Sequence, residues 1–255
     1  MTSKNPYRPF TPDPELVARL PAVTGAEING VGETEVRRPR MVYWAPNPDD
    51  IEFGEVQKWF YQHEPPHPVL MKERVRRKAI LDAPMPELAK MPAERAPDEW
   101  TGSLDRFIEA GDCERVGVTS LRQEWVYEHH ETSFRNVIML GVQHDYELLK
   151  HVPDVIGGTE VTRQYCRAAA AAKKVAGWLR EQGWDAEPVT GPMVGKILMI
   201  PPAIECGFGE LGKHGSLITP EFGSGFRLGA VLTDAPFATT PRREFGVDDF
   251  CSRCR

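Results

Sequence analysis

Hydrophobic and polar positions alternate with two different periods along this chain, and neither period holds before about residue 98. From Met1 to about Pro97 the apolar residues fall in short groups broken by Pro6, Pro9, Pro12, Pro14, Pro46, Pro48, Pro65, Pro66 and Pro68. This pattern predicts an irregular, proline-rich N-terminal arm over 1–97. Within the arm, Arg40 to Trp44 reads as a strand. Ile51 to Gln62 reads as a helix with Ile51, Val56, Trp59 and Phe60 on one face, and Arg74 to Leu81 as one or two helical turns. Glu52 and Glu55 on that charged arm read as a solvated face.

A compact α/β pattern occupies 98–240. Ser103 is placed to cap a helix running to Ala110, with Leu104, Phe107 and Ile108 inward and Gly111 as its stop. Arg115 to Leu121 alternates as a half-buried strand does. Asn136 to Val142 is continuously apolar, which suits a strand covered on both faces. His144 and Asp145 follow that strand, where they either reach a ligand crevice at the sheet edge or cap the strand exit locally. Gly157-Gly158 reads as a hinge. Thr159 to Gln182 gives the clearest helical period, with Tyr165, Ala168 or Ala169, Ala172, Val175, Ala176 and Leu179 on one stripe and Gly183 closing it. Tyr165 is either a core aromatic or a phenol aimed into a pocket. Trp184 to Val189 then reads as a strand, completing a strand-helix-strand unit of the kind that makes parallel sheets.

Pro201 to Pro236 is set apart by seven glycines around a single lysine. Gly207, Gly209, Gly212 and Gly215 surround Lys213 and His214, the composition either of a cofactor cradle or of turns joining a short helix to two strands. Gly229 to Pro236 supplies the last apolar strand, and 241–255 is a charged stretch ending in Cys251-x-x-Cys254.

Composition narrows the possible partners. A formal net charge of -6 without a long basic run argues against nucleic acid and anionic lipid as partners. The start lacks an apolar run of signal-peptide length, Arg37-Arg38 and Arg76-Arg77 precede none, and every apolar run is strand-sized, so a cytoplasmic protein is expected. Five scattered cysteines, an odd number, do not suggest a disulfide framework. Only Cys251 and Cys254 are spaced for a metal or cluster, and two such ligands leave the site incomplete.

The order of these pieces resembles the reductive dehalogenases, with epoxyqueuosine reductase as a more distant relative. The residues that carry the resemblance are Val137 to Leu149, the Tyr165 helix ending in Leu-Arg-Glu-Gln-Gly-Trp-Asp-Ala, and Ala203 to Lys213. Leu217-Ile-Thr-Pro-Glu-Phe-Gly-Ser, Phe226-Arg-Leu, Val231-Leu-Thr-Asp and the Cys-x-x-Cys pair complete it. The resemblance implies a nitroreductase-like corrinoid-binding sandwich, with cobalamin and 4Fe-4S clusters as cofactors. It implies reductive removal of halide from a small organohalide, with electrons from a donor such as a ferredoxin or flavin reductase. It also implies Tyr165 as proton donor with Lys213 beside it, an ammonium near a phenol favouring the phenolate. Gly209, Gly212, His214, Ser216, Leu217, Thr219 and Gly223 are then the corrinoid-binding residues. Cys251 and Cys254 match the first two ligands of a ferredoxin-like motif whose remaining cysteines, and the domain holding them, are expected beyond residue 255. Two other functions stay open: an epoxyqueuosine-reductase-like cobalamin-dependent reductase, and a non-catalytic corrinoid-binding fragment.

Overall fold

A computed structural model of the chain describes residues 13–19, 36–63, 66–191 and 195–253. They divide into two units, one drawn from Met1–Val36 and Met41–Pro65, the other from Arg37–Arg40 and Pro66–Arg255. Residues 66–97, read from the sequence as part of the arm, cluster with the second unit.

Among its described residues the first unit carries two α-helices and a 3-10 turn at Pro48–Asp50. Asp13 caps α1 (Pro14–Val17), and α2 spans Gly54–His63. The strand expected at Arg40 to Trp44 does not form, because its backbone finds partners other than a ladder. Phe53 N donates to the Val42 carbonyl at 3.0 Å, and the buried Gln57 amide both accepts from Ala45 N at 3.1 Å and donates to Ala45 O at 2.9 Å. The amide thus holds both backbone groups of Ala45, the residue after the expected strand.

The second unit is built on a four-stranded sheet. Its elements are α3 (Pro68–Asp82), α4 (Pro97–Gly102), α5 (Asp105–Glu109), β1 (Arg115–Ser120), β2 (Asn136–Gln143), α6 (Tyr146–Leu149) and α7 (Val155–Glu181). They continue as β3 (Ala186–Val189), α8 (Ile200–Glu205), β4 (Glu210–Leu211), β5 (Leu217–Ile218), β6 (Phe226–Thr233) and α9 (Val247–Arg253). The sheet order is β1-β2-β6-β3, and every ladder in it is antiparallel. The parallel sheet expected of the β2-α7-β3 unit is therefore corrected in one respect. Both strands pair antiparallel with β6, so they run the same way, but β6 lies between them. The crossover is split, and a strand from far along the sequence takes the central place.

Strand alternation sends two apolar sets to two faces. Val118, Ile138, Leu140, Val142 and Val231 join Trp100, Leu104, Phe107 and the α7 stripe of Ala168, Ala172, Val175, Ala176 and Leu179. Val137, Met139, Ala230 and Leu232 join Val126, Ile197, Ala203, Cys206, Phe208 and Leu217 on the other face. β2 is thus covered on both sides, as its unbroken apolar run requires. Glycines permit the close contacts. A Cβ at Gly229 would stand 2.9 Å from the Ala168 carbonyl, and one at Gly141 would stand 2.8 Å from the Phe208 ring.

The long helix begins earlier than its periodicity alone marks. Asp154 caps it by accepting from Ile156 N at 2.8 Å and Gly157 N at 3.2 Å, so Gly157-Gly158 lies within the first turn and is not a hinge. Gly157 is a packing position, where a Cβ would meet Val152 N at 2.6 Å. The helix expected from Ser103 to Ala110 forms as the shorter α5, stopped before Gly111, but Ser103 does not cap it: its hydroxyl donates to the Glu99 carbonyl at 2.7 Å, and a separate α4 with the fully buried Trp100 precedes it.

Candidate functional site

Tyr165 lies in the first half of α7, half-buried, on the side facing β6 and α3. Arg227, the second residue of β6, shares a sheet face with Val142 and Gly229 by register, and this is the face that α7 covers. Its guanidinium carbon sits 4.5 Å from the Tyr165 ring centroid. Arg77 of α3 brings a second guanidinium, 5.7 Å from the same centroid. Helix α3 is fastened to α7 on both sides of Arg77. The Cys166 thiol donates to the Glu73 carbonyl at 3.3 Å and Arg163 Nε lies 3.6 Å from Glu73 Oε1. At the other end, Lys173 Nζ donates to the Ile80 and Leu81 carbonyls at 2.9 and 3.0 Å, placing a cation at the α3 C-terminus, where exposed carbonyls favour it.

A buried polar cluster adjoins this ring. Glu160, one turn before Tyr165, is 1% exposed and accepts from Asp145 N at 2.8 Å, Gln164 Nε2 at 2.7 Å and Arg163 Nη1 at 3.1 Å. These donors compensate the buried carboxylate. His144 is buried too, its Nδ1 3.7 Å from Glu160 Oε1, beyond hydrogen-bond reach. Burial, with the Arg227 charge adding to it, lowers the His144 pKa from 6.5 to about 4 against the opposing pull of Glu160. The imidazole is therefore neutral at pH 7. Of the two readings at the β2 exit, Asp145 takes the local one: it caps α6, accepting from Glu147 N at 2.9 Å. His144 is buried beside Glu160.

Three buried nitrogens here have no hydrogen-bond partner: Arg77 Nε and Arg227 Nε beside Tyr165, and His144 Nδ1 beside Glu160. Neither Arg77 nor Arg227 forms an ion pair with any described residue. The sequence reading missed both arginines. The signal available for Arg227 was an arginine at the second position of a strand otherwise apolar through Thr233, inside a segment that already carried the family resemblance.

The glycine-rich segment covers the opposite face of the sheet. From α8 it runs through Cys206 and Phe208 into the β4-β5 hairpin, whose turn holds Lys213, His214, Gly215 and Ser216. Its glycines are demanded by the chain itself. A Cβ at Gly209 would stand 2.1 Å from the Ile218 carbonyl oxygen, one at Gly212 would stand 2.8 Å from the His214 ring, and Gly215 and Gly223 have φ of 80° and 57°. Leu217 is core. Thr219, also buried, accepts from Phe222 N at 2.8 Å, while His214 Nδ1 accepts from Ser216 N at 3.0 Å. Arg115 ties the segment to β1 through Glu221 and the Gly207 carbonyl, each at 2.5 Å. The reading of turns joining a helix to two strands thus describes the backbone. Lys213 is exposed in the turn, without a hydrogen bond or ion pair to a described residue. The charges recorded at Tyr165 are those of Arg227 and Arg77.

Cys251 lies half-buried on α9 with a free thiol, and Cys254 lies outside the described residues. Among the described residues no three His, Cys, Asp or Glu side chains converge to hold a metal, so the cluster ligand set does not assemble from them. The buried Cys113 and Cys206 thiols are pushed up to about 12 by burial, which leaves them protonated at neutral pH. A groove of about 520 Å³ lies elsewhere on α7, lined by Ala83 to Pro86, Arg106, Lys173, Gly177 and Trp178. It shares no lining residue with the Tyr165 cluster.

The fold and site define a mixed helix-sheet protein with a buried polar cluster at one end of an antiparallel sheet, and its homologues are reductive dehalogenases. The chain is 34% identical over 152 residues to a tetrachloroethene reductive dehalogenase of Dehalobacter restrictus, covering 60% of this chain and 27% of that protein. It is 30% identical over 120 residues to one of Sulfurospirillum multivorans, covering 47% and 23%. An epoxyqueuosine reductase of a Synechococcus species is 35% identical over 86 residues, covering 32% of this chain and 24% of the other. In structure, a catabolic reductive dehalogenase superposes with a TM-score of 0.70 at 18% identity over 86% of this chain and 36% of that one, which shows the fold. No family model matches. The chain spans about a quarter of the length of the curated relatives it matches. No helix among the described residues is long and apolar enough to cross a membrane.

Proposed function

We propose that this chain is the corrinoid-binding portion of a reductive dehalogenase acting on a small organohalide. The observation that carries this is Tyr165 beneath Arg227, in a segment whose relatives are dehalogenases. The reaction breaks one carbon-halogen bond and forms one carbon-hydrogen bond; two electrons and one proton enter, and halide leaves. A bound corrinoid supplies the electron pair, drawn from an external low-potential donor.

The protein's own contribution is positioning and charge. Tyr165 holds the proton at its phenol oxygen, and the Arg227 guanidinium over the ring stabilises negative charge there as the proton leaves. Buried nitrogens without partners fit a large ligand rich in acceptors, such as a corrinoid with its amide arms. Lys213, His214 and Ser216, exposed in the β4-β5 turn, are proposed to meet the corrinoid. Gly209, Gly212, Leu217, Thr219 and Gly223 set the shape of that turn. The described residues do not supply the ligand set of a 4Fe-4S cluster.

The test loads the chain with cobalamin, reduces it chemically and measures halide release from chlorinated and brominated substrates. Expected are a cobalamin spectrum altered by binding and halide release that depends on Tyr165. A chain that never takes up cobalamin sinks the proposal. A second reading, an epoxyqueuosine-reductase-like enzyme, is favoured by the 86-residue match to that family; reduction of an epoxide without halide release would select it.

A further inference from the structure

We infer that Glu210 is a positioning residue that latches the helix bearing Cys251 onto the glycine-rich hairpin, and that the charged stretch after β6 is a docked strap rather than a free linker. For its consequence this rests on the reading of the β4-β5 turn as corrinoid-facing, because the latch then ties that turn to the Cys-x-x-Cys segment. The Glu210 carboxylate, on β4, accepts from Phe245 N at 2.8 Å and from Val247 N at 3.2 Å through one oxygen. Gly246 stands between the two donors with φ of 86°, a left-handed turn that brings both N–H groups to the same atom. Val247 opens α9, and Cys251 lies four residues on, one turn along the same side of that helix.

The first part of the strap is docked without the latch, which isolates what Glu210 adds. Thr240 N donates to the Val118 carbonyl at 2.8 Å, and the Thr240 hydroxyl accepts from Val118 N at 3.1 Å. The strap thus covers the edge of β1 that β2 leaves free. A Cβ at Gly207 would stand 2.5 Å from the Pro241 carbonyl oxygen, so the strap then passes against the glycine-rich segment. Arg242 and Arg243 follow, 3.5 and 3.8 Å from the Glu205 and Glu221 carboxylates, in exposed pairs that hold weakly. Helix α9 has little to hold it by itself. It is seven residues long, Val247 is the residue it buries among those described, and Phe250 is 66% exposed. So short a helix is marginal without tertiary support. Hydrogen bonds to an ionised acceptor are the stronger kind, and Glu210 supplies them where the strap turns into the helix.

The experiment follows amide hydrogen exchange in the chain without cofactor, so a failure to take up cobalamin, which sinks the proposed reaction, leaves this result readable. The Phe245 and Val247 amides are expected to be protected. Glu210→Ala should speed their exchange at least about tenfold while the Thr240 amide, held by Val118, is unchanged. Glu210→Gln keeps an acceptor oxygen without the charge and should fall between. Maleimide labelling of Cys251, read in a Cys254→Ser background where the other three thiols are buried, should quicken in the same order. Circular dichroism checks folding. Gly246→Ala opposes the positive φ without meeting a neighbour, so it breaks the latch from the strap side and carries the test if Glu210→Ala unfolds. Unprotected Phe245 and Val247 amides in the parent chain, exchange unchanged in the variants, or a rise spread equally over Thr240 and the sheet would each overturn the assignment.

Discussion

The two faces of the sheet treat polar residues in opposite ways. On the glycine-rich face the backbone satisfies itself: Thr219 bonds Phe222 N, His214 bonds Ser216 N, and Gly209 admits the Ile218 carbonyl. On the α7 face, Arg77, Arg227 and His144 keep buried nitrogens without partners beside Tyr165 and Glu160. Unsatisfied buried donors are costly and persist where something else offsets them, so they mark a ligand site more sharply than glycine content does. Glycine density reports how closely a chain approaches something, and here that something is the chain itself.

The largest expected effect tests the α7 face. Tyr165→Phe should lower halide release by the chemically reduced, cobalamin-loaded chain about 10²- to 10⁴-fold, the range of general acid catalysis, with cobalamin uptake unchanged. Unchanged turnover would move the proton donor elsewhere. Arg227→Gln and Lys213→Gln, assayed side by side, then decide between the faces: the larger loss should follow Arg227, and a larger loss at Lys213 would return the charge to the hairpin.

Stability offers the next contrast. His144 has its pKa lowered to about 4 in the fold against 6.5 in the unfolded chain. Between those values the unfolded state binds the extra proton. Its contribution is therefore complete above about pH 6.5 and lost as pH falls toward 4, on the order of 3 kcal/mol across that window. Urea titrations from pH 4 to 7 should show this slope, and His144→Gln should flatten it. On the other face, Gly209→Ala pushes a methyl against the Ile218 carbonyl and should cost about 1–3 kcal/mol in the same urea assay. The smallest effect is expected from Lys213→Ala on stability, within about 0.5 kcal/mol, because the side chain is exposed and has no partner among the described residues. A larger loss would mean that the turn is anchored through its lysine.

Local pattern carried much of the fold. The continuous run from Asn136 to Val142 became the doubly covered strand, and the alanine stripe became α7. Both follow from periodicity and burial, which are properties of neighbouring residues. Arg40 to Trp44 failed as a strand; within it the Val42 carbonyl accepts from Phe53 N, just before α2, and not from a strand. The parallel sheet failed because β6, whose sequence lies past β3, pairs with both β2 and β3.

The site divides the same way. By itself the sequence determined that Tyr165 lies on an inward stripe of a long helix, that glycines crowd one segment, and that this segment carries the resemblance to the dehalogenases. Only the tertiary structure decided what stands over the tyrosine. Arg77 and Arg227 are 88 and 62 residues from Tyr165 in sequence, and they meet it because α3 docks along α7 and β6 inserts at the sheet centre. Helical and strand periods fix which way a side chain points within its own element. Which charge it meets depends on long-range pairing, which no local pattern encodes.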